Sequence, residues 1–163
     1  MDYAERQALF RAHAAAVLTG DAREAERTHR MIFPEHFLAH HVFLFALFTV
    51  CVVEHFGEEL DWGELDAFTE RLRRSAPEVS PLKTEALIRV CYGESRLYLE
   101  VPQAEHWPSM WAVCRLALDG RTGERELTEL FDLADGSGRE MVRDAFASEA
   151  LRGWPAPEPE EEP

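Results

Sequence analysis

The stretch from Pro34 to Phe56, PEHFLAHHVFLFALFTVCVVEHF, holds the longest apolar run of the chain and four of its seven histidines. Its uninterrupted part, Val42 to Val53, is twelve residues long if Thr49 is counted, whereas a helix that crosses a bilayer needs about 20. His40 and His41 close the run on one side, and Glu54 and His55 close it on the other. A segment this apolar nearly all round is expected to be a central helix covered by its neighbours, not a membrane span.

The rest of the chain supplies those neighbours. Leu9, Phe10, Ala14, Val17 and Leu18 recur at helical spacing before a Gly20-Asp21 break, which reads as a C-cap followed by an N-cap. A polar helix from about Ala22 to Phe33 follows, forming a plain αα-hairpin, and Pro34 is expected to open the central helix. Further on, DWGELDAFTERLRR places Leu65, Phe68 and Leu72 on one face, and SPLKTEALIRVCYGE carries Ser80 as N-cap with Pro81 at the first helical position. RLYLEVP alternates briefly, as a short extended piece would. A further helix is expected to start at Pro108 and end at Gly120. Two more follow, ERELTELFDLADG and REMVRDAFASEALRGW, with a turn at Gly136 to Gly138 between them. The expectation is an all-α fold, a single globular bundle of about seven helices around the segment 34–56. Its domain is predicted over 1–154, with a disordered Pro/Glu tail over 155–163.

Charge bears on partners. The chain carries 31 acidic and 17 basic side chains, a formal net charge of -14. Four of the acids lie in the tail PAPEPEEEP, so about -10 belongs to the rest. Such a surface repels phosphate backbones and anionic lipids, which argues against nucleic acid and membranes as partners and allows a basic protein. Sixteen of the basic residues are arginine and Lys83 is the one lysine, with many alanines, a mark of GC-rich coding and not of arginine chemistry. Cys51, Cys91 and Cys114 are odd in number and flanked by apolar residues, as reduced buried thiols of a cytoplasmic protein are. MDYAERQALF has no apolar stretch of the secretory kind.

The histidines raise the question of a metal. On a wheel of about 100° per residue, His36, Glu54, His40, Cys51 and His55 share one stripe, split by Leu44 and Leu47. His36 and His40 are one turn apart, a spacing with which helices supply two ligands to zinc. Glu26 and His29 share a face of the preceding helix. If the turn at Phe33-Pro34 folds the helices together, Glu26, His29, His36 and His40 form a candidate site for a divalent transition metal such as zinc, iron or manganese. Against this, di-iron helical proteins carry two Glu-x-x-His motifs, and one occurs here. The simpler expectation is that these histidines lie where the core meets water, with no cofactor.

Other candidates are weaker. Cys51 and His55 are at i, i+4, but no oxyanion donor accompanies them, and a buried inert thiol is expected. The glycines of DLADGSGRE do not match a calcium loop, since Phe131 and Val142 would fall on ligand positions. They fit a turn better than an anion-binding helix start. Trp107, just before Pro108, is expected to act as a hydrophobic staple, and the tryptophans in general to be core. Phe43, Phe45 and Phe48 could line a small-molecule pocket. The carboxylates Glu58, Glu59, Asp61 and Glu64 form either a solvated face or a docking patch for an arginine-rich protein.

Two segments, ALFTVCVVEHFGEELDWGELDAFTERLRR and SPLKTEALIRVCYGE, together spanning Ala46 to Glu94, resemble a family of small helical proteins from high-GC Gram-positive bacteria. The shared traits are an apolar helix ending in Phe-Gly, a second helix ending in a basic turn, and an EALIR helix closed by Gly-Glu. The resemblance implies a helical fold and a bacterial cytosol, and carries no activity. With no nucleophile triad, phosphate loop or cofactor fingerprint, the expected function is a non-enzymatic protein-protein interaction or regulatory module, adaptor or immunity-type. The alternative is a metal-binding protein or metal-dependent enzyme.

Overall fold

The computed structural model describes residues 1–147, and every regular element among them is a helix. In order these are α1 (Tyr3–Thr19), α2 (Ala22–Ile32), α3 (Phe37–Phe56), α4 (Trp62–Ser75), α5 (Pro81–Val90), α6 (Leu97–Glu100), α7 (Gln103–Leu118) and α8 (Glu124–Ala147). The expected tail over 155–163, the domain boundary at 154 and Trp154 lie outside the described residues.

The helix ends follow local chemistry. Asp2 and Glu5 form a reciprocal capping box at the start of α1. Gly20 closes α1 in the left-handed region at φ 79°, and Asp21 at once accepts the Glu24 amide to open α2. Asp61 and Ser80 cap α4 and α5 in the same way.

α3 packs chiefly against α7 and α8 and touches α1. Phe43, Leu44, Ala46, Leu47, Phe48, Cys51 and Val52 are all buried. Ordered by fold, α3 is 20 residues long, longer than the twelve-residue run and of a length that could cross a bilayer. Within the described residues 44% of its most apolar window is buried, while Leu38 and Val53 stay exposed. α1 and α2 form the hairpin, and α4 and α5 pack on each other and on α7.

Four local expectations are corrected. Pro34 does not open α3: it sits in a turn after a cis Phe33-Pro34 bond, and the helix begins at Phe37. RLYLEVP is not extended but forms the single helical turn α6. α7 begins at Gln103, which leaves Pro108 inside the helix. The turn before Pro108 is drawn into the helix because His106, Ser109 and Met110 are buried there, and tertiary burial outweighs the one hydrogen bond that proline cannot make. Finally, no turn occurs at Gly136 to Gly138, and α8 runs through both. A Cβ added at Gly138 would lie 3.5 Å from the Cβ of Ala46, so two small residues let α8 approach α3 closely. Arg11 of α1 fastens the same stretch by pairing with Asp132 at 2.8 Å and with Asp135.

Candidate functional site

His40, Leu44, Leu47 and Cys51 follow one another at i, i+4, i+7 and i+11 along α3, and none is more than 1% exposed. The stripe expected at the rim of the core is its deepest line. His40 therefore needs a partner, because an unmade hydrogen bond in the core costs about 1–3 kcal/mol. The partner is His13 of α1, whose Nδ1 lies 3.0 Å from His40 Nε2. Phe10, Trp107 and Trp111 pack around the two rings.

The tautomers follow from what is left over. His40 Nδ1 is buried with no partner. An orphaned lone pair is cheaper than an orphaned N–H, so the proton belongs on His40 Nε2, which donates to His13 Nδ1. Both rings are held neutral. Burial, reinforced by the charge of His29, pushes His13 down to about 4. Burial, with smaller repulsions from His13, His29 and His41, pushes His40 down to about 2.

One residue further along α3, His41 builds a second node. Trp107 Nε1–H donates to His41 Nδ1 at 2.8 Å. An indole can only donate, so His41 Nδ1 is a lone pair and its proton sits on Nε2, 2.5 Å from the Tyr98 hydroxyl oxygen. His106 packs against both Tyr98 and His41, and its Nε2–H donates to the Val101 carbonyl at 2.9 Å. Burial, with the charge of His106, lowers the His41 pKa, and burial raises that of Tyr98. His41 and Tyr98 are thus uncharged at neutral pH.

The four candidate metal ligands are not brought together. Glu26 is exposed and bound to Arg30 at 2.8 Å. His36 is the half-buried N-cap of α3 and makes no side-chain cap bond. His29 stacks on Phe33 and lies 5.9 Å from His13, centre to centre. Of the four, only His29 and His40 share neighbours, the rings of His13 and Trp107. Among the described residues no three His, Cys, Asp or Glu side chains converge as a metal site would require. The reason is the turn at 33–36, which separates His36 from the face that carries His40.

The remaining candidates separate as well. Cys51 neighbours Cys114, whose thiol is pushed well up by burial and by Cys51, whereas His55 meets Phe56 and Phe68 edge to face and Glu54 is exposed. Cys91 is pushed up to about 11 by burial. Gly136 and Gly138 lie within a helix, so they offer no free helix start for an anion. Trp111 is core, but Trp107 is no staple: it stacks on Phe37 at 5.2 Å and holds His41. Trp62 is 56% exposed and carries the Arg89 guanidinium 5.3 Å above its ring. Glu58, Glu59, Asp61 and Glu64 beside it are all exposed. Phe43 and Phe48 are buried, whereas Phe45 reaches an open groove together with His41 and Tyr98.

His13, Tyr98 and His106 were missing from the sequence-derived set. For His13 a signal exists, since Leu9, Phe10, His13, Ala14 and Val17 fall on one helical face, which makes it a core position. Fold and site define an all-helical protein with a neutral histidine-aromatic cluster between α1, α3 and α7. No family model, curated protein or solved structure matches the chain.

Proposed function

We propose that the chain is a single helical bundle built around α3, working in the bacterial cytosol as a non-enzymatic interaction or regulatory module of the adaptor or immunity type. Its partner is a protein with a basic segment, received at the acidic corner between α3 and α4. The observation that carries this reading is Trp62, more than half exposed, with Glu58, Glu59, Asp61 and Glu64 next to it in the chain. Tryptophan is among the residues that most often anchor protein interfaces. The position of Arg89 over the indole is the cation–π geometry that an incoming arginine would use. The net charge of -14 favours a basic partner and disfavours nucleic acid and anionic membranes. Burial keeps His13, His40 and Cys114 in uncharged forms, which suits a structural core better than catalysis.

The test is affinity capture and native mass spectrometry from the source cell, with the native chain beside a Glu59→Lys/Trp62→Ala variant. The expected result is a complex whose partner carries an arginine- or lysine-rich segment, weakened at least tenfold in the variant and by added salt. Only free protein in the native sample, or a complex indifferent to the variant, overturns the reading.

A divalent transition metal is the second reading, and the single observation in its favour is that His29 and His40 both contact His13. Elemental analysis of protein purified without a histidine tag decides it. Stoichiometric zinc, iron or manganese, lost in His40→Ala, would promote it.

A further inference from the structure

We infer that the groove between α3, α5, α6 and α8 is a binding site for an uncharged, mostly apolar small molecule bearing a carbonyl-type hydrogen-bond acceptor, recognised by the hydroxyl of Tyr98. This goes beyond the partner-binding corner at Trp62 and does not depend on it. The groove has a volume of about 480 Å³, within the ~300–1,000 Å³ typical of small-molecule sites. Val42, Phe45, Val90, Leu99 and Met141 give it apolar walls, and its polar groups come from His41, Tyr98 and Ser95.

The chemistry of the ligand follows from a chain of hydrogen bonds. Trp107 fills the Nδ1 lone pair of His41, so the remaining proton of His41 points at the Tyr98 oxygen. The tyrosine oxygen is thereby occupied as an acceptor, and its own proton must go elsewhere. Among the described residues the Tyr98 hydroxyl has no other hydrogen-bond partner, and Tyr98 is one of the residues that line the groove. A half-buried phenol with an unused proton and an apolar surround calls for an acceptor. The acceptor is uncharged, because neutral His41 and Tyr98 offer no positive charge to a carboxylate. Leu99, at 87% the most exposed large apolar side chain among the described residues, lines the groove, where a bound molecule would cover it.

Nile red, an uncharged dye with a ring carbonyl, is the probe, and diphenylhexatriene, a pure hydrocarbon, is its control. Both are titrated by fluorescence against the full chain, against Tyr98→Phe and against Val90→Trp, with helix content checked by circular dichroism. The expected result is saturable one-site binding of both probes to the native chain. Tyr98→Phe should weaken Nile red by about tenfold, the loss of one well-placed hydrogen bond, and leave diphenylhexatriene within twofold. Val90→Trp, which fills the groove, should abolish both. The inference is overturned by any of four results: no saturable binding to the native chain, Nile red unaffected by Tyr98→Phe, equal weakening of both probes, or undiminished binding to folded Val90→Trp.

Discussion

A neutral imidazole at position 40 fits the core at pH 7 because its one proton meets the Nδ1 of His13 at 3.0 Å. The same arrangement resists a second proton, which the folded chain accepts only near pH 4 at His13 and near pH 2 at His40. An unfolded histidine takes that proton near pH 6.5. Between about pH 6.5 and 4 the unfolded chain therefore binds more protons, and stability falls as pH falls through this window. Each such histidine contributes a slope of at most about 1.4 kcal/mol per pH unit, less at His13, which solvent reaches more easily. Thermal unfolding should show a lower midpoint at pH 5 than at pH 7, and the His13→Leu/His40→Leu variant should flatten that difference. An unchanged slope in the folded double variant would refute the assignment of the two neutral rings. His41, also lowered by burial, keeps a smaller residual slope in that variant.

At the scale of the element, glycine has opposite meanings in α8 and at the end of α7. Gly136 is helical with nothing within 4 Å of an added Cβ, so Gly136→Ala should raise stability by about 0.5–1 kcal/mol. Gly120 holds φ at 82°, where an L side chain is strained, and Gly120→Ala should lower stability by about 1 kcal/mol. Urea unfolding of the two variants against the native chain reads both signs. Leu47→Ala, in the fully buried middle of α3, should cost about 2–5 kcal/mol. These contrasts mark where sequence patterns suffice. Asp21, Ser80 and Gly20 announce their caps because a cap needs only local groups. Gly136 and Gly138 resemble a turn, yet their helical state depends on Ala46 of α3 and on Arg11 of α1, which are remote in the chain. Pro108 likewise loses its meaning as a start once His106 and Met110 are buried. The histidine cluster was legible by half: periodicity places His40 on a stripe with Leu44 and Leu47, but its partner His13 and the relay from Trp107 through His41 to Tyr98 join segments 27, 66 and 57 residues apart. The polarity of histidine, read alone, pointed to the rim, whereas pairing two neutral rings allows the core.

Across the whole molecule, two electrostatic effects oppose each other as salt is added. The ion pairs Arg27–Glu24, Arg30–Glu26, Arg73–Glu70 and Arg125–Glu129 are exposed and within single helices. Solvent screens each of them, so each adds little, and part of that survives in the unfolded chain wherever residual helix persists. The charge of about -10 outside the tail acts differently, because folding brings it into a smaller volume and self-repulsion opposes the compact state. Salt shortens the Debye length from about 30 Å at 0.01 M to about 10 Å at 0.1 M, which relieves repulsion between distant carboxylates first and contact pairs last. Repulsion should therefore win, and the unfolding midpoint at pH 7 should rise by a few degrees from 0.01 M to 0.15 M sodium chloride, on the order of 1 kcal/mol. A Glu58→Gln/Glu59→Gln variant, which removes from the exposed corner two charges that form no ion pair among the described residues, should be more stable than the native chain at low salt and lose that advantage at high salt. A midpoint that falls with salt in both proteins would mean that the local pairs dominate, and that the acidic surface is no burden to the fold.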